Sequence, residues 1–301
     1  MNVQSLRIHD LVEDPDRLEW AMSEQQALSR NDPGVRKLLE SIYLEPDRAL
    51  SFERFLMSFE LKTILGLLDL FGVSRSSTVC EIGGGPGFLS WALSRSGFAR
   101  VHLLEPNACF NTGTGYLRTR PDAAALTIHN DLGAWHAAAP AFDVILTKNC
   151  IHHFKNIAQA AATIRQKMSA GGFWFAFREW FADSPAELYG QIAGHPYCQP
   201  YGLYEWPYPA THYVEAIEIA GFKLKAVVPA GYANNTLAVY QEQPGDADAQ
   251  GLTTQIDGIL RANPQLTVDG FWQEALKNRF QGGAARFFTR PQAMVFAVAP
   301  L

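Results

Sequence analysis

Val79-Cys80-Glu81-Ile82-Gly83-Gly84-Gly85-Pro86-Gly87-Phe88 is the stretch on which the fold turns. Val79 to Ile82 reads as the end of a buried strand. The glycines supply positive φ and let backbone N–H groups come close, and Phe88-Leu89-Ser90-Trp91-Ala92-Leu93 restores helical periodicity. A strand that breaks through a glycine turn into a helix presents its amides at the helix N-terminus, so a small ligand is expected there.

The spacing narrows the ligand. A dinucleotide fingerprint would place a third glycine at position 88, where Phe88 stands, which weakens a nicotinamide reading. A Walker loop needs Lys and Ser or Thr directly after its last glycine, and Phe88 and Leu89 follow Gly87 instead. What remains is acidic-x-Gly-x-Gly-x-Gly, followed by a second strand, Val101-His102-Leu103-Leu104, that finishes in Glu105. Two carboxylates, Glu81 and Glu105, at adjacent strand ends suit a ligand carrying an ammonium group and a ribose.

From Thr78 to Arg178, with a weaker echo to the C-terminus, the chain resembles the class I S-adenosylmethionine-dependent methyltransferases. Glu81 to Gly87 is similar to that family's first motif, and Glu105 stands where its ribose-binding acid does. Asn130-Asp131-Leu132 is similar to the segment flanking the adenine. Phe142 to Leu146, followed by Lys148-Asn149-Cys150-Ile151-His152-His153-Phe154, is similar to its fourth strand and the loop beyond. The resemblance implies a Rossmann-like α/β fold: a seven-stranded, mostly parallel sheet with helices on both faces, a helical N-terminal region and late insertions forming a cap. It implies S-adenosylmethionine as cofactor, bound by Glu81, Gly83, Gly85, Gly87, Glu105, Pro106, Asp131, Leu132 and Lys148. The turn amides would face the methionine carboxylate, Glu81 the ammonium, Glu105 the ribose hydroxyls and Asp131 the adenine amino group, with Leu132 or Pro106 packing on the ring. Two bland readings stand beside these: Glu105 as a solvated strand-end acid, and Asn130-Asp131 as ordinary turn chemistry.

Composition bounds the function. With 301 residues, 48% of them hydrophobic, the chain can bury a large core and exceeds what a lone nucleotide-binding domain needs. A net charge of −5 offers no basic footprint for nucleic acid. Cys80, Cys109, Cys150 and Cys198 form no Cys-x-x-Cys pair, which disfavours a zinc knuckle or a disulfide framework, and no metal site is expected. The N-terminus has no basic-then-apolar leader and no stretch is long and apolar enough to span a bilayer, so a cytoplasmic protein without a membrane partner is expected.

Residues 1–72 read as a helical region, through Leu18, Ala21 and Met22, then Leu38, Leu39, Ile42 and Tyr43, then one strongly apolar helix from Ser51 to about Phe71-Gly72. That last helix is expected to pack on the sheet, or against a partner chain in a homodimer. Residues 73–301 read as the cofactor-binding domain with insertions at about 180–213 and 241–290. Strands are expected at Arg100–Leu104, Leu126–His129, Phe142–Thr147, Gly172–Arg178, Lys223–Pro229 and Ala293–Val298. A helix over Asn156–Met168 is expected to end at Gly171-Gly172. Strand C-termini gather ligands in such sheets, and Glu81, Glu105, Asp131, Lys148, Arg178 and Glu179 all fall at or near them. The ring-rich run from Trp180 to Tyr213, interleaved with prolines, reads as a rigid loop and a candidate acceptor lid. A helical insertion at Thr253–Phe280 would close the other side.

An S-adenosylmethionine enzyme of this kind displaces the methyl in line, largely by positioning. An oxygen acceptor would gain from a base, for which His152, His153, His195 and His212 are available, although the first two read as scaffold or cofactor wall ahead of base and His212 reads equally as packing. The resembled family's Asp/Asn-Pro-Pro-Tyr/Phe motif for exocyclic amino groups is absent after the fourth strand, where Lys148-Asn149-Cys150-Ile151 stands, so the resemblance implies less for methylation of such groups. Small-molecule methylation, with oxygen favoured, is the leading expectation. A scaffold or non-transfer role for the same fold, and methylation of a protein, are its alternatives.

Overall fold

The computed structural model describes residues 33, 47–195, 206–228 and 291–299. Two N-terminal helices, α1 (Arg48–Met57) and α2 (Phe59–Leu70), lead into β1 (Thr78–Ile82), α3 (Phe88–Arg95) and β2 (Arg100–Leu104). Next come β3 (Thr127–His129), α4 (Leu132–Ala138), β4 (Phe142–Lys148), α5 (Ile157–Gln166) and β5 (Met168–Phe177). They are followed by α6 (Pro185–Gly194), α7 (Ala210–Ile219), β6 (Phe222–Val228) and β7 (Ala293–Val298). The strands form one sheet in the order β3-β2-β1-β4-β5-β7-β6. β1 to β5 pair in parallel, while β7 runs antiparallel between β5 and β6. This is the mostly parallel Rossmann-like sheet expected from the sequence. The chain steps outward from β1 to β3, then returns to β4 on the other side of β1. A crevice opens at such a reversal, beyond the strand C-termini.

Alternation along the strands makes two cores. Cys80, Ile82, Ile145, Trp174 and Ala176 face one layer, filled by Trp135 of α4, Ile157 and Ile164 of α5, and Tyr213 and Ile217 of α7. Val79, Leu103, Val144, Leu146, Phe175 and Phe177 face the other, filled by Phe52 and Phe55 of α1, Ile64 and Leu68 of α2, and Leu89 and Trp91 of α3. The N-terminal apolar segment therefore packs on the sheet. Among the described residues, no helix is long and apolar enough to cross a membrane.

Three expectations need correction. The helix drawn from Ser51 to Phe71 is two, because Ser58 adopts an extended backbone (ψ 153°) and caps α2, its hydroxyl accepting Leu61 N–H at 3.1 Å and donating to the Phe55 carbonyl at 2.7 Å. Apolar periodicity hides this break, since both helices feed one core. Gly171-Gly172 does not stop a helix. Met168 already pairs with Phe142, and the register slips between Phe142 and Val144, so the glycines form an irregularity inside β5 with Gly171 at φ 75°. Finally, the run after Trp180 is not all loop, for α6 occupies Pro185–Gly194. Ser184 caps it by accepting Glu187 N–H at 3.2 Å, Pro185 suits the first turn, and Glu187 accepts Asp183 N–H at 3.0 Å. The expected helices around Leu18 and Leu38, the 196–205 part of the ring-rich run, Pro229 and the Thr253–Phe280 insertion lie outside the described residues.

Candidate active site

The glycine turn is built as its sequence demands. Gly83, Gly85 and Gly87 sit at φ 69°, 54° and 84°, the left-handed region that side chains resist. A Cβ at Gly84 would lie 2.6 Å from Glu81 Cδ and 2.7 Å from Leu103 Cδ1, and one at Gly83 would run into the Cys150 sulfur. Gly83 N–H donates to the Leu104 carbonyl at 2.8 Å, tying the turn to the end of β2, and Gly87 N–H donates to the Gly84 carbonyl at 2.9 Å.

Glu105 follows β2 and is 4% exposed. One carboxylate oxygen accepts Gly85 N–H at 2.7 Å and the other accepts Asn107 N–H at 2.8 Å, so both oxygens are held at the mouth of the turn. It is not the solvated strand-end acid of the bland reading. Glu81, buried at the end of β1, accepts Ser90 N–H at 2.9 Å and the Ser90 hydroxyl at 2.5 Å on one oxygen. Burial pushes its carboxyl pKa up, against the Ser90 hydrogen bonds and the Lys148 charge. Pro106 is half-buried beside Glu105. Asn130 donates to the Glu105 carbonyl at 2.6 Å and to the Thr114 hydroxyl at 2.9 Å. Asp131 is exposed and caps α4, accepting Ala134 N–H at 2.7 Å, while Leu132 is buried in the first turn of that helix.

Beyond β4 and β5 the backbone is forced into an unusual shape. Asn149 and Arg178 are the two described non-glycine residues at positive φ, 51° and 52°. Asparagine tolerates this region, whereas at Arg178 it costs on the order of 1–2 kcal/mol and persists because surrounding bonds impose it. Asn149 N–H reaches the Phe177 carbonyl at 2.9 Å and Arg178 N–H the Gln292 carbonyl at 2.7 Å.

Glu179 then turns back under the β4 loop, its side chain fully buried. It accepts N–H bonds from Cys150 (3.1 Å), Ile151 (3.0 Å to each oxygen) and His152 (3.4 Å), and faces His152 Nδ1 at 3.1 Å. A single carboxylate thus shapes the start of the short 3₁₀ turn Ile151–His153 and orients a buried imidazole. The His153 ring lies 4.3 Å from that of His152, and Trp180 stands between His152 (5.8 Å) and His195 (5.4 Å). His212 is exposed in the first turn of α7, its ring 4.4 Å from that of Tyr208. Cys150 is buried against the glycine turn, and burial lifts its thiol pKa, helped by the neighbouring acids Glu179, Glu105 and Glu81.

Lys148, at the end of β4, lies 3.6 Å from Glu60 of α2, and Arg178 lies 3.8 Å from the same oxygen. Glu60 is absent from the sequence reading. Its signal was its spacing, for it precedes Ile64 and Leu68 at four and eight residues and so shares their buried helical face. The structure therefore brings Glu81, the glycines, Glu105, Lys148 and His152 to one strand-end crevice. The clamping role of Glu179 and the supporting bonds of Ser90, Asn107 and Asn130 are absent from the sequence expectations.

Residues 57–227 match a family model described as a methyltransferase domain. Comparison with curated proteins finds no match. Among solved structures, the chain is similar to a proposed sarcosine dimethylglycine methyltransferase from Galdieria sulphuraria, at 12% identity over 79% of this chain and 85% of that one, with a TM-score of 0.47. Coclaurine N-methyltransferase bound to N-methylheliamine and S-adenosylhomocysteine matches at 15% identity over 79% and 72%, TM-score 0.47. The mitomycin 7-O-methyltransferase matches at 17% identity over 68% of this chain and only 56% of its own length, TM-score 0.44.

Proposed function

Because the chain belongs to the methyltransferase-domain family of the class I S-adenosylmethionine-dependent type, we propose that it methylates a small-molecule acceptor, an oxygen on an aromatic or natural-product-like compound being favoured. S-adenosylmethionine is the cofactor, and it supplies an electrophilic methyl group on a sulfonium. The residues fit that group. Glu105 carries the reading: an ionised carboxylate is an acceptor only, and its two oxygens, fixed by Gly85 and Asn107, suit the two hydroxyls of a ribose. The turn leaves no room for a Cβ at Gly84, which would run into Glu81 and Leu103, so the chain lies there as bare backbone packed on those side chains. Pro106 and Leu132 flank the adenine in this reading, with Asp131 near its amino group while capping α4.

His152 supports an oxygen acceptor. If the neutral ring donates Nδ1–H to Glu179, its lone pair sits on Nε2, the form a general base requires. Trp180, beside it, helps to exclude water. The net charge of −5 supports a small molecule over a nucleic acid. Calorimetry with S-adenosylhomocysteine tests the cofactor end: the wild type binds and Glu105→Ala does not, and equal affinity in the two sinks the reading. Labelled methyl transfer to a pool of phenols tests the rest. His152→Phe should keep cofactor binding and lose transfer by roughly a hundredfold or more.

A further inference from the structure

After Phe181 and Ala182, both buried, the chain runs out into α6, none of whose residues is buried. On its far side Trp206 N–H donates to the His152 carbonyl at 3.1 Å, which sets that end against the turn after β4. The two sides of this excursion are fastened together at its neck. Ala182 N–H donates to the Tyr208 carbonyl at 3.4 Å. The Tyr213 hydroxyl donates to the Trp180 carbonyl at 2.9 Å and accepts Tyr208 N–H at 3.2 Å. One phenol thus serves a carbonyl on one side and an amide on the other, because a hydroxyl is donor and acceptor at once. Tyr213 belongs to the buried stripe of α7 with Ala210, Ala216 and Ile217, and its ring meets those of Phe181 and Tyr208 edge-on at 5.6 and 5.9 Å. Its place is fixed by the core, and the neck is fixed with it.

Trp180 is held at both ends of its residue. Its carbonyl is taken by Tyr213, and Glu179 before it is bound into the turn after β4 by the Cys150 and Ile151 amides. Between these points the indole lies edge-on to the His152 ring, at 81° and 5.8 Å, and 5.4 Å from the His195 ring. The residue is only half-buried, so part of it is left uncovered beside the histidine that supports an oxygen acceptor. A rigid indole so placed suits a flat ring, since aromatic pairs gain from stacked or edge-to-face packing beyond the area they bury.

We infer that Trp180 is the wall against which a flat aromatic acceptor lies, and that the Tyr213 hydroxyl positions it through the neck. This rests on the acceptor reading above and names the residue that reads the acceptor's shape. Tyr213 is a positioning residue; Trp180 makes the contact.

Two probes separate flat from merely apolar: 2-naphthol and its saturated counterpart decahydro-2-naphthol, each titrated by calorimetry into protein loaded with S-adenosylhomocysteine. The wild type should bind 2-naphthol the more tightly. Trp180→Leu should weaken 2-naphthol by about fivefold or more and leave the saturated probe unchanged, while Trp180→Phe should keep most of the preference. Tyr213→Phe should narrow the preference by about threefold. Retained S-adenosylhomocysteine binding shows that each variant is folded. A hydroxyl that only held the loop would lower the unfolding temperature of Tyr213→Phe and leave the preference alone, a result that overturns the positioning role. A wild type that binds S-adenosylhomocysteine without preferring 2-naphthol, or a preference that survives Trp180→Leu, overturns the wall. A wild type that does not bind S-adenosylhomocysteine overturns the methyltransferase reading beneath it instead.

Discussion

Glu105, on the β1–β2 side of the crevice, takes N–H bonds of 2.7 and 2.8 Å from Gly85 and Asn107, whereas Glu60, on the β4–β5 side, meets Lys148 and Arg178 only at 3.6 and 3.8 Å. One edge is fastened by backbone, whose donors cannot move without the fold. The other is set by long side chains, which can. The first edge is thus preorganised for a fixed shape, as a sugar requires, and the second is held by charge over longer separations. Glu179 shows that the difference concerns the acid rather than the strand, since at the same β4–β5 edge it binds three backbone N–H groups and behaves like Glu105.

Breaking the backbone-fastened edge should cost most. Gly83→Val places a branched side chain at φ 69° and into the Cys150 sulfur, with an expected loss of about 3 kcal/mol or more in urea unfolding. A loss below about 1 kcal/mol would mean that the turn yields, and the contrast would fail. Glu179→Ala removes the acceptor of three amides and of His152 Nδ1. Roughly 2–4 kcal/mol of stability should go, and labelled transfer should fall with it.

The other edge should answer in the opposite sense. Burial raises the Glu60 carboxyl pKa, partly opposed by Lys148 and Arg178. A raised folded pKa gives stability that is fully present below the unfolded value and is lost as pH rises through the folded one. Glu60→Gln should therefore unfold at a higher temperature than the wild type at neutral pH. The gap should close as pH falls below the ordinary carboxylate value of 4.5. A variant destabilised at neutral pH would show instead that Glu60 is fastened like Glu105.

The smallest effect is expected inside β2, beside β3. There His102 Nδ1 lies 3.2 Å from His129 Nε2, and burial, with the His129 charge, pushes the His102 pKa down to about 4. A depressed histidine holds its stability above its ordinary value of 6.5 and loses it as pH falls toward the folded one. Thermal unfolding of His102→Gln should show a flatter slope than the wild type across that window.

Much of this was readable along the chain. β2 and β7 have the expected bounds, because alternating apolar residues between turn signals act locally. The capped break at Ser58, the bulge at Gly171-Gly172 and helix α6 were misread, since each is decided by a hydrogen bond or register that competes with a stronger composition signal. In the site, Glu81, Glu105 and Lys148 fell correctly at strand ends, which spacing alone can place. Asp131 shows the limit: the same Asn-Asp pair suits an adenine contact and a helix cap, and the structure gives it the cap.

What the sequence alone determined is the glycine turn, the parallel strands around it and the acids at their ends, because positive φ, period-two burial and strand-end position depend on near neighbours. Tertiary structure decided what each acid binds. Glu60 becomes a charge anchor and Glu179 a clamp only when α2 and β5 are carried against β4, since an acid's role in a dry crevice is set by donors that arrive from distant parts of the chain.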